Sequence, residues 1–216
     1  MNGRFFIARH GETVYNAVAR MQGKQPHSPL TRAGFAQADA IGAALRAFLG
    51  PRPKLSLWAS PTGRALQTLA IVAEHLDLDW HEARTDARLD EMDMGGWAGR
   101  FYRDIAAENG GFVDREAGLF ICKPPGGEWY DDIAVRLRAW LADTDTEPGD
   151  RLLLMHGISS RVLRGILTGA QDHPQCLAPV APALPQGSLV MIEDGAEILV
   201  HRGEGGLGAS GQHPPA

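Results

Sequence analysis

The chain has 216 residues, of which 44% are hydrophobic and 22% charged, a composition typical of a globular protein with a sizeable core. Its formal net charge of −5 argues against a general binder of nucleic acid or anionic membranes, because such proteins carry basic faces. An anionic small substrate stays compatible with this balance, since a few local arginines outweigh a weak global charge.

The composition shows no break, so we predict one domain over residues 1–202. Residues 203–216 are rich in glycine, serine and proline, and we predict a disordered tail there. The apolar run near the N-terminus is too short for a signal peptide or a membrane span, and Cys122 and Cys176 form no CxxC motif. We therefore expect a cytoplasmic protein with no membrane partner.

Short apolar strands alternate with amphipathic helices in the first third of the chain. The predicted elements are a strand over residues 4–8, a helix over residues 31–49 and a strand over residues 55–59. The helix is predicted to place Phe35 on its apolar face, and Gly50 and Pro51 end it. After the second strand, Ser60 and Pro61 are predicted to be the N-cap and the first residue of the next helix.

The alternation returns after a stretch, residues 92–127, that we predict to form loops and short helices over the sheet. The predicted elements that follow are a helix over residues 128–142, a strand over residues 151–155, a helix ended by Gly169, and a hairpin of residues 188–193 and 196–201. Together these elements predict an α/β sandwich whose sheet is mostly parallel, with an antiparallel hairpin at one edge.

Two of the predicted strands end in a histidine. Arg9-His10-Gly11 follows the first strand and His156-Gly157 follows a later one, and ligands bind outside the carboxyl ends of parallel strands. Arg64 lies in the first turn of a helix, where free N–H groups favour an anion. Together these side chains would form a positive pocket suited to a phosphoryl group. Taken alone, Arg9-His10-Gly11 fits a surface turn equally well.

Arg9-His10-Gly11-Glu12-Thr13 is similar to the signature of the histidine phosphatase superfamily, also called phosphoglycerate-mutase-like. Further blocks of that superfamily follow in the same order. They are Asn16 with Arg20-Met21-Gln22-Gly23, then Pro29-Leu30-Thr31, Ser60-Pro61 with Arg64, the segment 88–99, Pro125-Gly126-Gly127-Glu128, and His156-Gly157. The resemblance implies a three-layer α/β/α sandwich of the phosphoglycerate mutase-like type.

The resemblance also implies a role for each matching residue. His10 is expected to be the nucleophile that forms a phosphohistidine, one ring nitrogen attacking while the other donates, for example to a backbone carbonyl. Arg9, Arg64 and His156 are expected to form the charge clamp around the transferring oxygens. Glu91 is expected to protonate the leaving oxygen and then to draw a proton from water.

Four further positions are expected to contact phosphate or substrate, namely Asn16, Gln22, Gly23 and Gly157. We expect no metal and no cofactor, because no metal-ligand or phosphate-loop spacing appears in the chain. Trp97 is either part of the pocket wall or part of the core. The aromatic residues between positions 100 and 130 are either a substrate lid or core.

The branch of the superfamily is set by the acceptor of the phosphoryl group. Mutases typically have more sequence between the acid-bearing block and the final His-Gly than lies here between Glu91 and His156. We therefore expect a phosphatase that uses water to hydrolyse a phosphorylated small molecule. The alternatives are a cofactor-dependent phosphoglycerate mutase and a catalytically silent binding or regulatory member. The physiological substrate and the oligomeric state are left open.

Overall fold

The computed structural model describes residues 3–206, in which helices cover both faces of a six-stranded sheet. The α-helices are α1 (Val14–Ala17), α2 (Arg32–Leu49), α3 (Gly63–His75), α4 (Tyr102–Asn109), α5 (Tyr130–Thr144) and α6 (Gly157–Leu167). The strands are β1 (Phe5–Arg9), β2 (Leu55–Ala59), β3 (Arg84–Thr85), β4 (Val113–Asp114), β5 (Leu119–Phe120), β6 (Asp150–Met155), β7 (Asp172–His173), β8 (Ala178–Pro179), β9 (Leu189–Glu193) and β10 (Ala196–His201).

The large sheet has the strand order β10-β9-β1-β6-β2-β3. Strands β1, β6, β2 and β3 run parallel, and β9 pairs antiparallel with both β1 and β10. Asp194 and Gly195, both with positive φ, form the turn of the β9–β10 hairpin. The predicted mostly parallel sheet with an antiparallel edge is therefore confirmed.

Alternate side chains of the central strands enter two separate cores, because successive residues of a strand point to opposite faces. Phe5 and Ile7 belong to the core that α5 and α6 cover. Phe6 and Ala8 belong to the core that α2 and α3 cover. This arrangement is the predicted three-layer α/β/α sandwich.

Two details of the predicted helices are wrong. Helix α3 begins at Gly63 with Thr62 as its N-cap, whereas Ser60 and Pro61 precede it, because the Ser60 hydroxyl donates instead to Asp90 at 2.6 Å. Phe35 is 44% exposed, because the buried stripe of α2 runs through Ala38 and its helical neighbours on another face. Both helices nevertheless occupy the predicted layers.

Helix α5 begins at Tyr130, two residues after the predicted start at 128. Trp129 is extended, and its N–H is accepted by the Asp132 carboxylate at 2.8 Å, which caps the helix at this point. The Glu128 carboxylate accepts the Asp93 N–H at 2.9 Å and pairs with Arg136 of α5 at 3.1 Å, so it links the helix to the loop before it.

The predicted tail, 203–216, overlaps a segment that is hydrogen-bonded in the structure. The Gly203 N–H donates to Ser188 Oγ at 2.9 Å, and the Gly205 N–H donates to the Gln186 carbonyl at 3.2 Å. Residues 207–216 lie outside the described part of the chain. Within residues 3–206, no helix is long and apolar enough to cross a membrane.

Candidate active site

The register of β1 and β6 brings the two predicted histidines to one edge of the sheet. Arg9 and Met155 are paired across these parallel strands, and the His10 N–H donates to the Met155 carbonyl at 3.0 Å. His10 and His156 each follow the last residue of their strand, so they emerge side by side. Their ring centroids are 5.1 Å apart and their planes are inclined at 63°.

The His10 ring is oriented by the backbone of the next residue. Its Nδ1 lies 2.7 Å from the Gly11 carbonyl oxygen, and because a carbonyl only accepts, Nδ1 carries the proton. Nε2 therefore holds a free lone pair, and His10 lines the cleft at this edge. Burial, together with the nearby Arg64 and Arg9 guanidinium groups, lowers the pKa of His10 well below its ordinary value. The ring is neutral at pH 7.

His156 has the opposite tautomer, because an arginine holds its other nitrogen. Arg64 Nε donates to His156 Nδ1 at 3.2 Å, which places the imidazole proton on Nε2. Nε2 is buried and has no hydrogen-bond partner within residues 3–206. Burial and the Arg64 charge lower the pKa of His156 well below its ordinary value. His156 therefore offers a neutral N–H donor beside His10.

Arg64 is fully buried, and most of its donors are used by the protein itself. Nη1 donates to the Gln25 carbonyl at 2.7 Å and to Ser28 Oγ at 3.1 Å, and Nη2 donates to the Gly23 carbonyl at 2.7 Å. Burial lowers its pKa to about 10, so the group stays charged at neutral pH. Arg64 therefore holds both the His156 ring and the loop of residues 23–28 in place.

Arg9 and Glu91 line the cleft beside His10, next to the start of α6. The Glu91 carboxylate accepts the backbone N–H groups of Ile158 and Ser159, each at 3.1 Å, at the positive end of that helix. A Cβ on Gly157 would lie 3.4 Å from Glu91 Oε2 and 3.5 Å from Arg9 Cζ. The carboxylate and the guanidinium therefore both lie against this turn, at distances that an added Cβ would leave as ordinary van der Waals contacts. Arg9 Nε is buried with no partner within residues 3–206.

Thr13 orients the predicted amide contacts. Its Oγ1–H donates to Gln22 Oε1 at 2.6 Å, and its backbone N–H donates to Asn16 Oδ1 at 3.1 Å. Because these amide oxygens are occupied, the two NH₂ groups are left as donors for a ligand, and both residues line the cleft. Gly23 lines it too, with φ +53°. A Cβ at Gly23 would meet Met94 Cγ at 2.9 Å, so only glycine fits this turn.

Gln186 is a site residue that sequence reasoning missed. Its Nε2 donates to the His10 carbonyl at 3.2 Å and to Asn16 Oδ1 at 3.1 Å, and the side chain is buried. It lies in a loop just before β9, with no local motif, so nothing in the sequence marks it. The pairing of β9 with β1 brings the loop that contains Gln186 next to His10.

The aromatic segment divides between core and cleft. Trp97 is core, since it is 3% exposed and packs edge-on against Phe112 at 5.1 Å between ring centroids. Tyr102 and Phe120 line the cleft instead. Burial raises the pKa of Tyr102 to about 12, so its hydroxyl keeps its proton at neutral pH.

The cleft that these residues line has a volume of about 850 Å³, including its open mouth. Three arginines that sequence reasoning did not assign to the site also line it, namely Arg20, Arg161 and Arg164. Among residues 3–206, no group of three or more His, Cys, Asp or Glu side chains is placed to hold a metal ion. The arrangement can receive a phosphoryl group in line with His10 Nε2, with N–H donors around it.

Known proteins with similar sequences include a probable mutase and a bifunctional kinase/phosphatase. The chain is 36% identical over 167 residues to a probable phosphoglycerate mutase GpmB of Enterobacter, covering 76% of this chain and 74% of that protein. It is 32% identical over 188 residues to a 6-phosphofructo-2-kinase/fructose-2,6-bisphosphatase of Caenorhabditis elegans, covering 87% of this chain. It spans only 38% of the length of that protein.

Solved structures of similar proteins share the fold. The mycobacterial glucosyl-3-phosphoglycerate phosphatase complexed with VO₃ superposes with a TM-score of 0.72 at 28% identity, covering 91% of this chain and 96% of that one. Bacillus stearothermophilus YhfR superposes with a TM-score of 0.69 at 27% identity, covering 91% and 95%. The family model of the histidine phosphatase superfamily (branch 1) matches residues 5–189. This chain therefore belongs to the histidine phosphatase superfamily.

Proposed function

We propose that the protein is a phosphomonoester hydrolase that works through a phosphohistidine on His10. The observation that carries this proposal is the pair of complementary imidazoles, with the free lone pair on His10 and the free N–H on His156. A nucleophile and a donor of this kind, with ring centroids 5.1 Å apart, suit attack on a phosphorus atom held beside both rings.

In the first step, the His10 Nε2 lone pair forms a bond to phosphorus while the bond from phosphorus to the ester oxygen breaks. Glu91 gives its proton to that departing oxygen, so an alcohol leaves. The His10 ring gains positive charge as it is phosphorylated, and the Gly11 carbonyl stabilises it through the Nδ1–H bond. Arg9 and the His156 N–H balance the charge of the phosphoryl oxygens.

In the second step, water attacks the phosphorus atom and Glu91, now a carboxylate, takes a proton from it. The bond from phosphorus to His10 Nε2 breaks, which releases inorganic phosphate and restores the neutral ring. The amide donors of Asn16 and Gln22 hold the phosphoryl group in both steps, since the backbone N–H and the hydroxyl of Thr13 occupy their oxygens. No step draws on a cofactor, because the chain itself supplies the nucleophile, the acid and the positive charge.

Water is the proposed acceptor, and several similar proteins are phosphatases by name, among them the mycobacterial glucosyl-3-phosphoglycerate phosphatase. The mutase alternative needs the phosphohistidine to meet a second substrate. Incubation with 3-phosphoglycerate and a trace of 2,3-bisphosphoglycerate tests it: we expect inorganic phosphate, whereas 2-phosphoglycerate would identify a mutase.

The central experiment measures hydrolysis of p-nitrophenyl phosphate with EDTA present, and it traps the phosphoenzyme by rapid mixing in alkali. We expect turnover and a base-stable phosphohistidine in the wild type, and loss of both in His10→Ala. His81→Ala is the matched control, because His81 is an exposed imidazole far from the cleft lining. A silent member of the fold would show no turnover over a wide pH range, and turnover abolished by EDTA would contradict this mechanism.

A further inference from the structure

The arginines that line the cleft are not equivalent, because they differ in how far the protein already neutralises them. Arg164 is paired with the Glu197 carboxylate through two bonds, at 2.7 and 2.8 Å. Arg161 is 6% exposed and donates to the carbonyls of Ala117, Gly118 and Ala181. These carbonyls bond to each of its three nitrogens but bring no negative charge, and no carboxylate within residues 3–206 lies in ion-pair range of Arg161.

Arg20 has an uncompensated charge as well, and it has free donors. Its Nε donates to the Gly99 carbonyl, and its guanidinium lies against the Tyr15 and Phe101 rings, with Cζ 5.5 and 5.1 Å from the two centroids. Within residues 3–206, Nη1 and Nη2 have no hydrogen-bond acceptor and no carboxylate in ion-pair range. The undescribed residues, 1–2 and 207–216, include no Asp or Glu.

The Arg20 guanidinium is also fixed in place before any ligand arrives. Its backbone N–H donates to the Tyr15 carbonyl at 2.9 Å, and Arg20 forms an isolated antiparallel bridge with Phe101. Two aromatic contacts and one carbonyl hold the planar group with its terminal nitrogens free. Such a preorganised fork suits a carboxylate or phosphate, because little side-chain entropy is lost when two parallel hydrogen bonds form.

We propose that Arg20 binds a second anionic group of the substrate, so that the preferred substrate is a phosphomonoester that also carries a carboxylate or a second phosphoryl group. This inference rests on the proposed function, in which Arg9, His10 and His156 hold the transferring phosphoryl group. The uncompensated charge of Arg161 adds to the attraction for the second anion, since a cleft with low-dielectric walls concentrates the field of its charges.

The experiment compares substrates matched except for that second charge. The pairs are 3-phosphoglycerate with glycerol 3-phosphate, which differ by a carboxylate, and fructose 1,6-bisphosphate with fructose 6-phosphate, which differ by a second phosphoryl group. The readout is the ratio of kcat/KM within a pair, which does not depend on the active fraction of a preparation. We expect the wild type to favour the member with the second anionic group in at least one pair. The expected ratio is about 10- to 100-fold, the value of a charge-assisted hydrogen bond.

Arg20→Gln should reduce that ratio to about 3 or less. Arg103→Gln is the matched control, because Arg103 stacks on the same Phe101 ring at 4.8 Å but is 80% exposed and does not line the cleft. The control should keep the wild-type ratio.

Three results separate this inference from the proposed function. A wild-type ratio near unity in both pairs, with p-nitrophenyl phosphate still hydrolysed, overturns the second-anion site alone. A preference that survives in Arg20→Gln also overturns the assignment to Arg20. Absence of hydrolysis of every ester, including p-nitrophenyl phosphate, removes the proposed function and this inference with it.

Discussion

Arg64 Nε donates a hydrogen bond to His156 Nδ1 at 3.2 Å, and through it a fully buried arginine determines which nitrogen of that histidine carries the proton. The resemblance to the superfamily predicts Arg64 as part of a charge clamp. In the structure its donors are directed to His156 and to the loop of residues 23–28, which gives a route by which Arg64 positions the His156 donor.

Arg64→Lys tests this route. Lysine keeps a positive charge but cannot donate to His156, Gly23 and Gln25 together, so we expect the His156 Nε2–H donor to be lost. Loss of one positioned donor lowers kcat by about 100- to 1,000-fold, measured with p-nitrophenyl phosphate. Arg46→Lys is the control, since Arg46 is a half-buried arginine that pairs with Asp77 and does not line the cleft. Arg64→Lys with wild-type kcat would show that charge alone is needed.

The buried histidines predict a pH-dependent stability. The pKa of His10 and of His156 is lowered in the folded protein, chiefly by burial, whereas an unfolded histidine titrates near pH 6.5. Below about pH 6.5 the unfolded chain therefore binds more protons than the folded one. Each histidine contributes stability that is present above this pH and is lost as the pH falls, by up to about 1.4 kcal/mol per pH unit.

Urea unfolding of the wild type and of His156→Gln at a series of pH values from 7.5 to about 5 measures this effect. We expect the free energy of unfolding of the variant to fall less steeply with decreasing pH than that of the wild type. His81→Gln should follow the wild-type slope, because His81 is exposed. Parallel curves for all three proteins would mean that His156 takes up its proton alike in the folded and unfolded states, and would contradict the lowered pKa.

Glu91→Gln tests the proposed general acid. Glutamine cannot give a proton to the leaving oxygen, so the loss should be small for p-nitrophenyl phosphate and about 100- to 10,000-fold for an alkyl phosphate, whose leaving oxygen needs the proton. Asp93→Asn is the matched control, because Asp93 is a nearby carboxylate that accepts the Gly95 N–H instead. Equal losses for both esters in Glu91→Gln would assign the acid to another residue.

Gly23→Ala tests the turn that presents the phosphate-contacting amides. Gly23 has φ +53°, and an added Cβ would lie 2.9 Å from Met94 Cγ and 3.2 Å from the Met92 carbonyl oxygen. Backbone strain of this kind costs about 1–3 kcal/mol, and the clash adds to it. Activity should fall as well, because the Gly23 carbonyl accepts Arg64 Nη2.

Thermal unfolding measures the stability of Gly23→Ala. Gly126→Ala, measured in the same way, separates the cost of backbone strain from the cost of the clash with Met94. Gly126 has φ +69°, but an added Cβ there would meet nothing within 4 Å. We expect Gly23→Ala to lower the free energy of unfolding more than Gly126→Ala does. Equal losses would leave backbone strain as the whole effect and exclude packing against Met94.

Several features of this protein followed from local sequence alone. The apolar runs of β1 and β6 predicted buried parallel strands, and a parallel strand ends where ligands bind, so His10 and His156 were expected at one edge. The turn at Asp194 and Gly195 predicted the hairpin because both positions need positive φ. The start of α3 was mispredicted, because a hydrogen bond between Ser60 and the distant Asp90 decides it.

The sequence by itself determined the layer order, the strand ends and the candidate chemistry at them, since these depend on residue types a few positions apart. Only the tertiary structure decided which nitrogen of His156 is free, that Arg64 holds this ring, and that Gln186 supports His10. It also decided that Arg20, among the arginines of the cleft, keeps both terminal nitrogens without an acceptor within residues 3–206. The physical reason is that hydrogen bonds and charge compensation depend on partners 92 or 176 positions away, which no local pattern specifies.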